Sequence, residues 1–189
     1  MELLTGILSA FGLSASAGLN AYIPLLVIGV IGHYTKLIQL NKPWDTLANP
    51  WILILLGVLV IVEMLADKIP AINHINDIIQ TVIRPVAGAI VFAASARAIS
   101  NIHPVLALAC GLLVAGSVHL VKAAVVRPAI TAATGGTANV PVSMAEDIIA
   151  TVTSILSVFL PILIGVLILV VIYFIIVWFV RRANRNKKV

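Results

Sequence analysis

The chain has 189 residues, of which 61% are hydrophobic and only 10% are charged, whereas soluble domains carry about 25% charged residues. A surface that faces water needs more charged residues than this chain has. The composition therefore excludes a soluble globular fold and favours an integral membrane protein. The net charge is +5, and a single cysteine, Cys110, excludes an internal disulfide and a cysteine-based metal cluster.

Five apolar segments approach or exceed the roughly 20 residues that a membrane-spanning helix needs. They cover about residues 6–32, 51–66, 78–100, 104–126 and 148–180. The last segment is too long for one straight span and contains Pro161, so we expect a half-helix followed by a full span, or one kinked helix. The first segment lacks the features of a cleaved signal peptide, and we expect it to remain in the mature protein. The sequence therefore predicts an all-α, polytopic transmembrane helix bundle of about five to six spans.

A basic tail follows the last apolar segment. Its cations are Arg181, Arg182, Arg185, Lys187 and Lys188. By the positive-inside rule we expect the tail, residues 181–189, to be cytoplasmic and the protein to be integral to the cell membrane. Nucleic-acid binding is disfavoured, because the cluster adjoins a span and has no folded module around it. With five spans the N-terminus lies outside and the charged residues near the spans lie toward the outer side, whereas a sixth span would change the N-terminal side.

Two weakly similar halves indicate an internal repeat within one transmembrane domain, residues 1–180. The matched segments, in the same order in both halves, are 11–20 with 92–101, 49–57 with 103–111, 69–72 with 127–130, and 77–82 with 147–152. Repeat one covers about residues 6–84, repeat two about 87–165, and a closing helix about 161–180. Such repeats are typical of transporters. The spacing predicts parallel repeats, and inverted repeats are the alternative if the proline-broken connectors, 67–84 and 127–147, re-enter the membrane.

Charged residues and histidines within or beside the spans are the candidate functional residues, because such groups are costly in lipid and usually face a cavity or a partner. We predict a substrate or proton pathway that contains Glu63, Asp67, Asp77, Arg84, His119, Lys122, Arg127 and Asp147. Glu63 is the strongest candidate, since it follows an apolar run and a carboxylate buried in the hydrocarbon can carry protons. The structural alternative is an ion pair of Glu63 with Lys122 or Arg127 from the other repeat.

Two arginines, Arg84 and Arg127, each directly precede a proline. A residue before proline avoids the helical region, so we expect broken helices there, with each arginine able to clamp a phosphate or carboxylate. The alternative is a snorkelling or ion-paired arginine. For His119, on an otherwise apolar helix, the alternative is a hydrogen-bonded core position.

A stripe of small residues lies in the first segment at Gly12, Ser14, Ser16, Gly18 and Asn20. Small residues let membrane helices pack closely, which is the role we expect, with a pathway along Ser16 and Asn20 as the alternative. Neither a metal-ligand spacing motif nor a catalytic set is present, so we expect no bound metal, no cofactor and no enzyme activity.

Two runs resemble those of a bacterial membrane family catalogued as a domain of unknown function. They are Gly12-Leu-Ser-Ala-Ser-Ala-Gly-Leu-Asn-Ala-Tyr-Ile-Pro-Leu25 and Val62-Glu-Met-Leu-Ala-Asp-Lys-Ile-Pro70. The resemblance covers nearly the whole chain and implies the membrane class without an activity. Acidic residues and proline-adjacent arginines in two connectors are more distantly similar to DedA-type lipid transporters. The Gly-Arg-x-Ile-Pro pattern of that family is missing here, since Arg127-Pro128 is followed by Ala129-Ile130, so no residue roles are carried over.

These features favour a small membrane transporter or lipid translocase, coupled to protons and acting on an anionic substrate. Glu63 and Asp67 would be the proton-responsive acids, and Arg84 and Arg127 would attract the anion. The alternatives are a divalent-cation transporter, in which the same acids supply oxygen ligands, and a non-transporting membrane scaffold or subunit. The expected partners are membrane lipid and a small anionic substrate, not nucleic acid, and a homodimer is consistent with a chain of this size.

Overall fold

The computed structural model describes residues 2–68, 70–97 and 102–186, which form helices and connecting turns with no β-strand among them. The elements are α1 (Glu2–Leu19), α2 (Tyr22–Tyr34), a 3₁₀ helix (Trp44–Ala48), α3 (Pro50–Ala66), α4 (Pro70–Arg97), α5 (Pro104–Val121), a π-helical stretch (Lys122–Val126), α6 (Arg127–Thr134), α7 (Asn139–Phe159) and α8 (Pro161–Asn186). The all-α class is confirmed.

Three helical segments are long and apolar enough to cross a membrane. They are Ile78–Ser95 within α4, the continuous helix Pro104–Thr134, and α7. The outward faces of the bundle are apolar: on α3, for example, Trp51, Ile54 and Val58 are all exposed. Six charged side chains among the described residues are buried inside the bundle: Glu63, Asp67, Arg84, Lys122, Glu146 and Asp147. Apolar outward faces around buried charges are expected of a bundle surrounded by lipid. The helices therefore fit a membrane protein, as the composition predicts.

The first apolar segment is two helices rather than the single span that we expected. At the break, the Asn20 side chain accepts the backbone N–H groups of Tyr22 and Ile23, each at 3.2 Å. The Glu63 carboxylate accepts the N–H of Ala21 at 3.3 and 3.1 Å. These acceptors satisfy backbone donors that the start of α2 leaves open. The segment after α2 then lies near Ser9, so α1 and α2 form an antiparallel hairpin.

Neither proline that follows an arginine breaks its helix, so that expectation was wrong. Helix α4 continues through Pro85, and Arg127 has helical backbone angles, φ −63° and ψ −47°. In the π-helical stretch before Pro128, backbone hydrogen bonds join residues five apart instead of four, so the helix is wider there and accommodates the proline ring. In α4, packing against neighbouring helices offsets the lost hydrogen bond, as is common in membrane bundles. A helix break does occur at Pro161, between α7 and α8. The helix before it, α7, is itself long enough to cross a membrane and is not the half-helix of our first alternative.

Helix α1 is the centre of the bundle and contacts α2, α4, α5, α7 and α8. Its glycines permit this close approach: a Cβ atom at Gly12 would collide with Ser157, and one at Gly18 would lie 2.6 Å from the carbonyl oxygen of Ala115. The hydroxyl of Ser14 donates a hydrogen bond of 2.8 Å to the carbonyl of Gly88. Gly12, Ser14 and Gly18 thus have the packing role predicted for the small-residue stripe, while Ser16 and Asn20 form hydrogen bonds with α7.

One matched pair of the repeat has the same local structure in both halves. Helices α3 and α5 each begin with a proline behind a capping side chain. Asn49 accepts the N–H of Trp51 at 2.9 Å, and His103 accepts that of Val105 at 3.3 Å. The predicted boundary between repeats, 84–87, lies inside the unbroken α4. The repeat and the domain division built on it stay predictions.

Candidate functional site: a buried charge network

Six charged side chains meet at the end of the bundle where α1 and α3 end and α2 and α7 begin. We call them the charge network; its members are Glu63, Asp67, Arg84, Lys122, Arg127 and Glu146. Glu63 lies in α3 and Asp67 caps the end of that helix. The other four come, in chain order, from α4, the π-helical stretch, α6 and α7. Burial is nearly complete: the side chains of Arg84 and Glu63 are 0% and 1% exposed, and that of Arg127 is the most exposed at 14%.

Glu63 and Arg84 form the deepest ion pair. Both Nε and Nη2 of Arg84 donate to Oε1 of Glu63, at 3.1 and 3.0 Å. Nη1 of Arg84 lies 3.3 Å from Nδ1 of His119, whose Nε2 lies 3.1 Å from Oγ1 of Thr81. Because a guanidinium only donates, Nδ1 accepts and the neutral ring carries its proton on Nε2. The expected partners of Glu63 in the structural alternative, Lys122 and Arg127, were wrong, since neighbouring helix α4 supplies the cation.

Asp67 joins the pair to the rest of the charge network. Its Oδ2 atom lies 3.0 Å from Nη2 of Arg127, 3.5 Å from Nη2 of Arg84 and 3.7 Å from Nζ of Lys122. Its Oδ1 atom accepts a hydrogen bond of 2.7 Å from Nδ2 of Asn76. The hydroxyl of Ser143 also donates to Oδ2, at 3.5 Å. One carboxylate oxygen is therefore shared among three cations from three helical segments.

Lys122 links the charge network to the end of the central helix. Its ammonium group lies 2.8 Å from Oε2 of Glu146 and donates a hydrogen bond of 3.0 Å to the carbonyl of Leu19. That carbonyl belongs to the last turn of α1, where helices leave acceptors unpaired and favour cations. Arg127 approaches the same Glu146 oxygen at 3.9 Å. The π-helical stretch thus carries the cation that stabilises the end of α1.

Asp147 lies beside the charge network, on α7. Its Oδ1 atom accepts a hydrogen bond of 3.0 Å from Nδ2 of Asn20. Its Oδ2 atom has no hydrogen-bond partner among the described residues, although Asp147 is only 5% exposed. On α4, the Oε1 atom of the buried Gln80 also has no hydrogen-bond partner among the described residues. Buried acceptors without donors are rare and call for a specific explanation.

Seven of the eight predicted site residues come together in the structure. They are Glu63, Asp67, Arg84, His119, Lys122, Arg127 and Asp147; the eighth, Asp77, has a side chain outside the described residues. The predicted set omitted Glu146 and the polar partners Asn76 and Ser143, and Asn20 entered the prediction only as an alternative pathway residue. Helical spacing from the predicted charges would have identified two of these residues. Asn76 lies eight residues before Arg84 and Ser143 lies four before Asp147, so each shares a helix face with a predicted residue.

The same acids are the candidate ligands for a divalent metal ion. In the part of the chain that the structure describes, no group of three His, Cys, Asp or Glu side chains is placed to hold a metal ion. The oxygens of Glu63, Asp67 and Glu146 face cationic side chains instead. The arrangement is therefore one of mutually paired acids and bases.

Comparison with known proteins assigns the family. Residues 7–182, nearly the whole chain, match the family model described as Domain of unknown function (DUF4126). No match was found among the curated proteins or among the solved structures. The distant similarity to DedA-type transporters is not shown by any comparison. The chain belongs to the DUF4126 family, the membrane family that its sequence resembles.

Proposed function

We propose that this protein is a small proton-coupled membrane transporter or lipid translocase for an anionic substrate. The observation that carries the proposal is the sharing of Asp67 Oδ2 among Arg84, Lys122 and Arg127, at 3.0–3.7 Å. A carboxylate with three cations in reach can exchange partners without leaving a charge unpaired. Exchange of ion pairs between packed helices is a common basis for two alternative packings of one bundle.

Proton coupling is supported by the charge balance. Together with Asp147, the charge network has four carboxylates and three cations. A fourth cation, Lys68, faces Asp147 but is only partly buried, so the buried groups alone have one excess negative charge. A buried charge without compensation is costly in a bilayer, so one proton on an acid would offset the excess. Protonation would also change which cation each remaining carboxylate attracts. The same acids would therefore bind the proton and set the packing of the helices.

Among the cations, Arg127 is best placed to bind the anionic substrate. Its side chain is the most exposed of the charge network, and it contacts Asp67 through Nη2. A phosphate or carboxylate of the substrate would replace Asp67 and bind the guanidinium in a bidentate manner. Arg84 has a different role in this proposal, because Glu63 and His119 already engage it and it is fully buried.

A non-transporting scaffold or subunit is the second candidate, and a different observation favours it. The Glu63–Arg84–His119 chain joins α3, α4 and α5 through paired, buried groups. Such a chain specifies how helices pack and needs no substrate. In that case the charge network would hold this bundle, or a homodimer built from it, in one arrangement.

The proposed orientation in the cell membrane follows from the start of α8. Pro161 lies near Thr5 and Ser9, at the bundle end opposite the charge network. If α8 spans the bilayer, the basic tail emerges on the same side as the charge network. The positive-inside rule then places both toward the cytoplasm, with the N-terminus outside. This differs from the outer-side location of the charges that five spans predicted, because the first segment is a hairpin.

Ligand-induced thermal stabilisation of the detergent-purified protein tests the proposal. The panel contains anionic phospholipids, phosphorylated and carboxylated metabolites, and divalent metals, each at two pH values. An anion at 100 times its Kd stabilises by about 2.7 kcal/mol, which corresponds to roughly 5–10 °C. We expect this shift to disappear in Arg127→Ala and to persist in Lys42→Ala, an exposed cation at the other end of the bundle. No shift with any compound, from a folded sample, would favour the scaffold.

A further inference from the structure

A cavity of about 620 Å³ opens at the bundle end opposite the charge network. Its polar lining includes Ser9 of α1, Ser95 of α4 and Lys36 after α2, and Val158 and Phe159 close its apolar side at the end of α7. Both serines are buried. Hydroxyl groups at the base of an open cavity are placed to hold water.

From this cavity a seam of small and hydroxyl-bearing residues runs between α1 and α7. On α1 it contains Ser9, Gly12, Ser16 and Asn20; on α7 it contains Ser157, Ser154, Ala150 and Asp147. Spacings of three and four place each set on one helix face. The two faces are in contact: the hydroxyls of Ser16 and Ser154 are 2.7 Å apart, and Ser16 Oγ is also 2.7 Å from the carbonyl oxygen of Ala150.

At its inner end the seam reaches a buried carboxylate oxygen without a donor. This atom is Oδ2 of Asp147, in a residue that is 5% exposed. Asn20 from α1 bonds the other oxygen, while Asp67, Lys68 and Lys122 are the charged groups that face Asp147 from the end of α3 and the π-helical stretch. A proton on Oδ2 would convert the unpaired acceptor into a donor and remove a buried negative charge.

We propose that the α1–α7 seam is the route by which protons reach Asp147 from the cavity. This inference rests on the proposed function, because it identifies the proton as the coupling ion of that transporter and names the path of the proton. Ser157 and Asp147 are separated by about 15 Å along α7, roughly half of a 30 Å hydrocarbon core. A hydronium ion in the cavity would become water, and the hydroxyls of Ser157, Ser154 and Ser16 would each accept one proton and release another. Water between these hydroxyls and Asp147 would carry the proton over the remaining distance in the same way, and the Asp147 carboxylate would become a carboxylic acid.

Cysteine labelling tests whether water reaches the seam. In a Cys110→Ala background, Ser154→Cys and Ser157→Cys would be treated with a small water-soluble methanethiosulfonate, beside Ile155→Cys on the exposed, lipid-facing side of α7. The two serine substitutions are nearly isosteric, and unchanged thermal unfolding of all three variants would confirm the fold. We expect at least tenfold faster labelling at the two seam positions than at Ile155→Cys. Equal, negligible rates at all three, with Thr137→Cys in the exposed turn fully labelled, would overturn the route.

A carbodiimide tests the end point, because dicyclohexylcarbodiimide reacts with protonated carboxyl groups in apolar surroundings. We expect an adduct on Asp147, identified by mass spectrometry, that forms at low pH and declines as the pH rises. Asp147→Asn would lack that adduct. An adduct that depends on Na⁺ at fixed pH, or no adduct at Asp147 at any pH, would overturn the assignment of the proton.

Neither measurement needs a substrate, so the inference and the proposed function can fail separately. An unlabelled seam would refute this route while a substrate-induced thermal shift still supported transport. A labelled seam with a pH-dependent adduct would support proton access even if every substrate in the panel failed.

Discussion

Replacing Arg84 by methionine would remove a guanidinium that is 0% exposed and leave Glu63 buried without its cation. Four polar contacts would be lost: two to Glu63 Oε1, at 3.1 and 3.0 Å, one to Asp67 Oδ2 at 3.5 Å and one to His119 Nδ1 at 3.3 Å. Removal of one partner of a buried ion pair costs about 3–5 kcal/mol. We expect a loss of this size in the free energy of unfolding.

The companion variant is Glu63→Gln, which keeps an acceptor for the N–H of Ala21 but removes the charge. In the double variant no isolated charge remains at this pair. We therefore expect the double variant to be more stable than the sum of the single losses predicts, by about 1–3 kcal/mol. Asp45→Asn, at an exposed carboxylate in the 3₁₀ helix, is the matched control and should change nothing measurable.

The assay is unfolding by SDS in mixed micelles, followed by tryptophan fluorescence, for the four proteins of the cycle and the control. Losses that add to within about 0.5 kcal/mol would mean that Glu63 and Arg84 are energetically independent. That result would refute the view that their contact organises the charge network, whatever the size of each single effect.

Three further substitutions test the close packing of α1 and the cap of α2. Gly12→Ala should destabilise the protein by about 1–3 kcal/mol, because its Cβ atom would collide with Ser157. Its control is Gly57→Ala, where nothing lies within 4 Å of the new Cβ atom, and which should be neutral or stabilise by about 0.5–1 kcal/mol. Thermal unfolding in detergent measures both variants, and equal effects would contradict the packing argument. Asn20→Ala should lower the free energy of unfolding by about 1–2 kcal/mol, since it removes the cap of α2 and the hydrogen bond to Asp147. SDS unfolding measures this loss, and an unchanged free energy would show that the cap contributes nothing to stability.

Much of the fold was predictable because lipid imposes simple rules on sequence. Long apolar runs gave the central parts of α3, α4 and α5, and prolines marked the starts of α3 and α5 and the break before α8. The break after α1 was missed for a physical reason. A single polar residue, Asn20, lowers the average hydropathy of its segment very little, yet its side chain caps a new helix.

The composition of the site was also largely predictable, whereas its pairing was not. Charges are expensive in lipid, so those near the helix ends were expected to cluster. Which acid meets which base depends on which helices are neighbours and on side-chain rotamers. Glu63 pairs with Arg84 because α3 and α4 are in contact, and sequence spacing alone does not reveal that contact. Arg127 was expected in a broken helix and lies in a continuous one, because a π-helical stretch precedes it.

The central position of α1 has a consequence for how the protein is made. A ribosome synthesises α1 well before α7, because the α7 groups that pair with Ser16 and Asn20, at Ala150 and Asp147, lie more than a hundred residues further along the chain. During translation, α1 must therefore remain in the membrane with its hydroxyl and amide groups unmatched, or be held by the insertion machinery, until α7 arrives. The central helix therefore enters the bilayer well before its native surroundings are complete.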